Sequence, residues 1–162
     1  MSLAATIAIA IAALLLMEPF TALVHRFVMH GFGMGWHRSH HEPPQRQLEA
    51  NDLFPVAFSV LTIAALCVGL YVPGYAALVP VGVGVTAYGA AYLFVHDVVI
   101  HRRVPGLPVP AWLLARWRDA HNVHHLYARA PYGFLAPVVP AGLRGRAAGW
   151  PDRTPRTITA PE

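Results

Sequence analysis

All ten histidines of the chain fall into four short motifs that alternate between two spacings. The motifs are His25-x4-His30, His37-x-x-His40-His41, His96-x4-His101 and His121-x-x-His124-His125. Each half of the chain therefore carries an H-x4-H motif followed by an H-x-x-H-H motif. A lone histidine is more often a packing or surface residue than a ligand. Because neutral imidazole is the commonest protein ligand of transition metals, ten histidines in two repeated spacings predict a metal centre.

The two spacings predict different geometries. Residues three and four apart share one face of an α-helix, so the three histidines of H-x-x-H-H can converge on one ion. Five residues correspond to about 500° of helical turn, so the two side chains of H-x4-H diverge by about 140°. Either the helix loosens between them, or the two histidines serve different ions. We favour the second interpretation, in which H-x4-H bridges two ions that each have about five imidazoles.

The type of ligand limits the choice of metal only in part, since imidazole suits Zn, Cu, Fe and Ni. Structural zinc sites often use cysteine, whereas Cys67 stands alone within an apolar run, where we expect it to be an inert packing residue. The Glu-x-x-His motif of carboxylate-bridged di-iron bundles does not occur either. Three residues after Glu18, Glu42 and Glu49 stand Thr21, Gln45 and Asp52. A di-iron site in this chain would therefore be rich in histidine and poor in carboxylate.

The elements that position these motifs are apolar and long. Charged residues make up 12% of the chain, against about 25% in soluble domains, and apolar runs predict membrane spans at about 3–24, 54–72 and 75–95. No basic residue precedes Arg26, which favours an uncleaved first span over a secretory signal peptide. The third run would give a fourth span if it broke at Pro80 or Gly84. The fold expected is an all-α integral membrane bundle of three to four helices.

The basic residues predict the orientation of this bundle. All twelve are arginines, and none lies before the first span or between the second and third. By the positive-inside tendency, residues 25–52 and 96–162 are cytoplasmic, which brings all four histidine motifs to one face of the cell (inner) membrane. The net charge of +4 is thus a matter of topology and does not indicate nucleic acid. We expect one domain, 1–145, followed by a flexible tail, 146–162.

Two shorter segments accompany the spans. Residues 111–129 read as an amphipathic helix that carries the last histidine motif near its end, with Trp112 and Trp117 suited to the membrane interface. Asn51 and Asp52 are typical N-caps for the second span.

Three carboxylates are candidates for orienting the ligand imidazoles. Glu18 lies seven residues before His25, near the same helical face, and an intramembrane carboxylate is a functional candidate by default. It could instead be a protonated residue bonded to another helix. Asp97 and Asp119 lie one after and two before a histidine, so they could accept ring N–H bonds. They could equally be ordinary surface acids.

Two tyrosines precede the third histidine motif by one to two helical turns. Tyr88 and Tyr92 could line the path of a substrate towards the metals, or could simply pack between helices.

The histidine motifs resemble those of the fatty-acid-hydroxylase and sterol-desaturase superfamily of membrane non-haem di-iron enzymes. The segments around these motifs are more specific, because they resemble the bacterial-type beta-carotene 3-hydroxylases, a family within that superfamily. These segments are MHGFGMGWHRSHHEP (29–43), NDLF (51–54), TAYGAAYLFVHD (86–97) and GFLAPVVP (133–140). The resemblance covers roughly residues 15–140 and departs from the family pattern at Val138 and Val139.

This resemblance implies a carotenoid hydroxylase with two iron ions held by the ten histidines, or zinc in recombinant samples. One oxygen atom of O2 would enter carbon 3 of a β-ionone ring, turning β-carotene into β-cryptoxanthin and then zeaxanthin, and canthaxanthin into astaxanthin. Electrons would come from NAD(P)H through a ferredoxin and its reductase. Arg102, Arg103, Arg116 and Arg118 could bind an acidic ferredoxin, or could reflect topology alone.

Two other functions stay open at this point. A lipid or sterol hydroxylase or desaturase of the same superfamily would share the motifs and would also take its substrate from the membrane. A histidine-rich metal transporter would be a different class of protein. Because transporters hold their ligands near the bilayer midplane, histidines at the ends of spans favour the enzyme.

Overall fold

The computed structural model describes residues 1–42, 48–104, 107 and 111–146. The elements there are α1 (Leu3–Val24), a first π segment (His25–Phe32), α2 (Met34–His41), a 3-10 turn (Ala50–Asp52), α3 (Leu53–Tyr71), α4 (Leu78–Tyr92), a second π segment (Leu93–Ile100), α5 (Ala111–Tyr127) and a 3-10 turn (Ala141–Leu143). All of them are helical, which confirms the predicted class. The predicted tail lies outside the described residues, apart from Arg146.

Three helices are long and apolar enough to cross a membrane. They comprise Leu3–Phe32, Ala50–Tyr71 and Leu78–Ile100, with mean hydropathies of 2.3, 2.3 and 1.7. The third does not break at Pro80, because this proline stands in the first turn of α4, where its missing N–H has no intrahelical partner to lose. The described chain thus has three candidate spans, and the four-span alternative is not needed.

Small residues let the spans pack closely. A Cβ added at Gly84 of α4 would lie 2.8 Å from Cβ of Ala13 in α1 and would also overlap the carbonyl oxygen of Ala10. A Cβ at Gly82 would meet the side chain of Leu66 in α3. Helix α4 is therefore the central helix, with α1 and α3 packed against it.

Apolar side chains cover the outside of this bundle, as lipid requires. Leu16 of α1, Leu61 of α3 and Leu70 of α3 are each more than 60% exposed. Cys67 belongs to this outer surface, since it is exposed on α3. The expectation that it packs inside the protein is therefore wrong, because an apolar run in a membrane helix has no single buried face.

The two π segments, α2 and α5 meet at one end of the bundle. The carboxyl ends of α1 and α4 continue into the two π segments, α2 packs beside the first π segment, and α5 packs beside the second. Among the residues whose burial is described, seven polar ones are buried, and six of these are histidines. The polar core at this end is thus the candidate site itself.

Candidate metal centre

The ten histidines form two groups at this end of the bundle. One contains His25, His30, His37 and His124, and the other His40, His96, His101 and His121, with the ligand atoms of each group within 4.8 Å of one another. His41 Nε2 adds to the first, 3.1 Å from His37 Nε2. His125 Nε2 adds to the second, 2.7 Å from His121 Nε2. We call these five-histidine groups cluster one and cluster two.

Each H-x4-H motif delivers both of its histidines to one cluster. His25 and His30 lie in cluster one, and His96 and His101 in cluster two. The interpretation in which H-x4-H bridges two ions is therefore wrong, and the alternative of a loosened helix is confirmed. The first motif lies within a π segment, and the second begins in one and ends at its C-cap, His101; turns of this kind close by i→i+5 hydrogen bonds. His101 N–H donates to the His96 carbonyl at 2.9 Å, so residues five apart stand nearly one above the other.

Each H-x-x-H-H motif is instead shared between the clusters. The first and last histidines of the motif, four residues apart, join the cluster that contains the H-x4-H motif of the same half of the chain. His37 and His41 therefore belong to cluster one. The middle histidine crosses over, so His40 belongs to cluster two and His124 to cluster one. Convergence of all three on one ion is therefore wrong. Positions i+3 and i+4 differ by about 100° around a helix, enough to face two neighbouring sites.

The spacing of the imidazoles suits metal ions. Within the clusters, neighbouring Nε2 atoms lie 2.7 to 3.2 Å apart. An ion roughly 2.1 Å from each imidazole nitrogen separates two ligands at a right angle by roughly 3.0 Å. The residues present therefore fit two ions with histidine ligands, one in each cluster.

Burial keeps these imidazoles in the protonation state that a metal requires. Burial lowers the pKa of His37 to about 4 and that of His124 to about 3. It also lowers the pKa of His40 and His121 well below the usual range. At neutral pH these four rings are uncharged, so each of them can offer a lone pair to a metal.

The second ring nitrogen of several histidines meets an oxygen acceptor. In cluster one, Nδ1 lies 3.0 Å from the Tyr132 carbonyl for His25, 2.7 Å from Asn51 Oδ1 for His37, and 2.6 Å from the Arg129 carbonyl for His124. In cluster two, Nδ1 lies 3.5 Å from Glu49 Oε2 for His40 and 3.2 Å from Asp97 Oδ1 for His96. These partners assign the proton to Nδ1 and leave Nε2 for the metal.

The predicted carboxylates differ in what they contact. Asp97 does face a ligand histidine, as expected. Asp119 is exposed on α5, and among the described residues no contact between it and a histidine is found. A helix brings residue i−2 to roughly the opposite face from residue i, which explains why Asp119 points away from His121.

Glu18 does not orient an imidazole directly. Its carboxylate accepts the backbone N–H groups of Phe134, Leu135 and Ala136 at 2.9 to 3.1 Å. It also accepts the Tyr88 hydroxyl at 2.7 Å. Glu18 thus fixes the loop whose Tyr132 carbonyl meets His25, and it acts on the cluster through that loop.

An apolar cavity of about 450 Å³ lies among α1, α3 and α4. Both predicted tyrosines, Tyr88 and Tyr92, line it. Phe134 also lines it and stacks on His25 with ring centroids 5.0 Å apart, while Tyr92 stacks on His96 at 4.8 Å. None of the ten histidines, all within the described residues, lines the cavity. Aromatic rings therefore form the boundary between the cavity and the two clusters.

Several site residues were not predicted from the sequence. Asn51 is predicted to be an N-cap, but its side-chain oxygen accepts a hydrogen bond from the His37 ring. Asp52 forms a capping box with Glu49 around the 3-10 turn. Glu49 and Phe134 carried no local signal of a role. Phe134 does lie in the GFLAPVVP segment, but the only signal of that segment is its resemblance to the family.

Comparison with known proteins agrees with this geometry. A family model described as fatty acid hydroxylase matches residues 10–140. A beta-carotene hydroxylase of Pantoea ananas is 44% identical over 67% of this chain and 62% of that protein. One of Pseudescherichia vulneris is 38% identical, over 84% and 79%. One of Paracoccus sp. (strain PC1) is 40% identical, over 72% of both. No solved structure matches the chain. The chain belongs to the fatty acid hydroxylase family, in the group formed by the beta-carotene hydroxylases.

Proposed function

We propose that this protein hydroxylates carotenoids at carbon 3 of the β-ionone ring, converting β-carotene through β-cryptoxanthin to zeaxanthin and canthaxanthin to astaxanthin. The observation that carries the proposal is the placement of two five-histidine clusters at the end of an apolar cavity among three spans. The relatives named above are beta-carotene hydroxylases, which supports the substrate class.

The ten histidines would hold two iron ions, one in each cluster. When bound, the iron pair supplies the activation of O2, so that one oxygen atom enters a C–H bond and the other leaves as water. The reaction consumes two electrons and two protons, which NAD(P)H would provide through a ferredoxin and its reductase. Zinc suits the same ligands, so recombinant samples could carry zinc in place of iron.

The remaining tasks are to bind the substrate and to exclude water, and residues around the cavity would perform both. The cavity wall is almost wholly apolar, which suits a polyene that arrives from the bilayer. The Tyr88 hydroxyl is bound by Glu18 and Thr21 at 2.7 Å each, so this polar group is already paired. Tyr92 and Phe134 cover His96 and His25 on the cavity side. Together they would keep water from the metals and hold the substrate ring beside them.

The orientation is part of the proposal. The clusters and the carboxyl end would face the cytoplasm from the inner membrane, in one domain, 1–145, with a flexible tail, 146–162. A basic surface beside the clusters would receive ferredoxin. Arg103 does not belong to that surface, because it binds Glu49, Asp52 and Asp97 at 2.8 to 3.3 Å. Arg116 is exposed and is available to a partner.

Expression in cells that accumulate β-carotene, together with ferredoxin and its reductase, tests the proposal. We expect zeaxanthin in pigment extracts from cells with the native chain. Asp119→Asn should match it, since Asp119 is exposed away from both clusters, whereas His124→Ala should give none. Unchanged carotenoids, with hydroxylated or desaturated lipids or sterols in the same extract, would favour the other chemistry of the superfamily. Hydroxylated carotenoid from His124→Ala would contradict the ligand assignment.

A further inference from the structure

We infer that the two clusters are unequal, and that cluster two binds its metal ion more tightly and donates more electron density to it. The inference rests on the proposed two-iron function. It concerns residues around the histidines, chiefly Glu49, Asp97 and Arg103. The symmetry of the histidine motifs would suggest equal sites, and the difference arises only in what stands behind the imidazoles.

Neutral oxygen atoms stand behind three of the five histidines of cluster one. The Nδ1 atoms of His25 and His124 face the backbone carbonyls of Tyr132 and Arg129, at 3.0 and 2.6 Å. The Nδ1 atom of His37 faces the side-chain amide oxygen of Asn51 at 2.7 Å. These bonds are short and fix the ring orientations, but each acceptor is a dipole without net charge.

Carboxylates stand behind two of the five histidines of cluster two. The Nδ1 atom of His96 lies 3.2 Å from Asp97, and that of His40 lies 3.5 Å from Glu49. Both carboxylates are well shielded from solvent, with side-chain exposures of 13% and 5%. A charge acts over a longer range than a hydrogen bond, since Coulomb energy falls only inversely with distance. The longer contact to Glu49 therefore still counts.

Arg103 keeps these carboxylates in place. Its guanidinium lies 3.3 Å from Asp97, 3.3 Å from Glu49 and 2.8 Å from Asp52. One cation thus joins three anions and fixes both acceptors behind cluster two. The charged group shown near cluster one is a cation, since the Arg26 guanidinium lies 6.0 Å from the ring of Tyr132, which contacts His25.

A carboxylate behind a ligand imidazole makes the metal-bound nitrogen more basic, and loss of such a partner costs 10- to 100-fold in metal affinity. The more basic ligand set also favours the higher oxidation state of the metal. Iron should therefore fill cluster two first, and the iron there should be the easier of the two to oxidise. Glu49 and Asp97 are positioning residues in this scheme, because they act through His40 and His96.

Substoichiometric loading tests the order of filling. The purified metal-free chain in detergent receives one equivalent of ⁵⁷Fe(II) without oxygen, and a Mössbauer spectrum is recorded. We expect one dominant quadrupole doublet, and a second one of equal area when a further equivalent is added. Two doublets of equal area at one equivalent would overturn the inference, although the proposed function would stand. Failure to bind iron at either step would instead contradict the proposed function.

Two isosteric variants identify the favoured cluster. Asp97→Asn removes the charge behind His96, so it should weaken the dominant site by 10- to 100-fold and make the two doublets comparable at one equivalent. Asn51→Asp adds a charge behind His37, so it should raise the share of the second doublet. Asp119→Asn is the matched control, and its spectrum should equal that of the native chain. A dominant doublet unchanged by both Asp97→Asn and Asn51→Asp would overturn the assignment to cluster two.

Discussion

At the scale of single residues, position within a motif decides which cluster a histidine joins. His37 and His40 are three residues apart on one short helix, yet they belong to different clusters. His37 and His41 are four apart and belong to the same one. Sequence neighbours on α2 are therefore not equivalent, and this difference can be tested with pairs of substitutions.

Iron content should follow cluster membership. His37→Ala with His41→Ala removes two ligands from cluster one, so the chain should keep roughly one iron ion, in cluster two. His37→Ala with His40→Ala damages both clusters, so the chain should keep much less. Iron analysis of the purified variants, loaded at equal iron concentrations, measures this. Equal iron in the two double variants would show that α2 serves a single ion after all. Since the proposed activation of O2 uses both ions, neither variant should form zeaxanthin.

The convergence of the histidines was predictable from the sequence, but their hydrogen-bond partners were not. Ten histidines in two repeated spacings predicted a common site, and the structure does bring them together. The acceptors behind them come from separate parts of the chain, such as the Tyr132 carbonyl, 107 residues from His25. Asn51 shows the same difficulty at short range. An asparagine before a helix is a typical cap, and no local signal says that its amide reaches a histidine instead.

At the scale of elements, the apolar runs predicted helices close to α1, α3 and α4. The main difference lies at the carboxyl ends of the first and third spans, because these helices continue through the π segments to Phe32 and Ile100, beyond the predicted ends at 24 and 95. Helix α4 also begins at Leu78 and not at residue 75. The two π segments were missed, because an ideal α-helix was assumed when the angle between the histidines of H-x4-H was derived. No apolar pattern marks a π turn, since the change is one residue in a continuous helix.

The contact between α1 and α4 should be the most sensitive to size. Gly84→Ala places a methyl group against the Ala10 carbonyl and Ala13, and overpacking of this kind costs about 1 to 3 kcal/mol. We expect a lower midpoint of thermal unfolding in detergent. Gly89→Ala lies in the same helix with nothing within 4 Å of the added atom, so it should unfold at or slightly above the native midpoint. A Gly84→Ala midpoint no lower than that of Gly89→Ala would contradict the close packing.

At the scale of the whole molecule, the cavity and the clusters are adjacent but not continuous. Phe134 connects them, because it lines the cavity and touches one histidine of each cluster, His25 and His96. It is 7% exposed, and its backbone N–H is held by Glu18 at 2.9 Å. The position of this ring therefore sets how the end of a long apolar substrate meets the metals.

Shortening this side chain should change where the substrate is oxidised. In Phe134→Ala the ring end of β-carotene would advance beyond the position at which Phe134 stops it. We therefore expect kcat/KM for the conversion of β-carotene to zeaxanthin to fall roughly 100-fold. Products hydroxylated at carbons next to carbon 3 should also appear. Chromatography with mass spectrometry and NMR of the products measures both. Phe32→Leu is the control, because Phe32 is 89% exposed. Zeaxanthin as the sole product, formed at the native rate, would show that Phe134 does not position the substrate.

The exchange of His40 and His124 between the halves of the chain has a consequence for biogenesis. Each half carries its own set of motifs, yet each lends one histidine to the other half's cluster. A nascent chain that has inserted only its first span and α2 therefore cannot complete either ligand set. Complete clusters require α5, which is synthesised after all three spans, so filling of the proposed iron sites would be the closing step of membrane assembly.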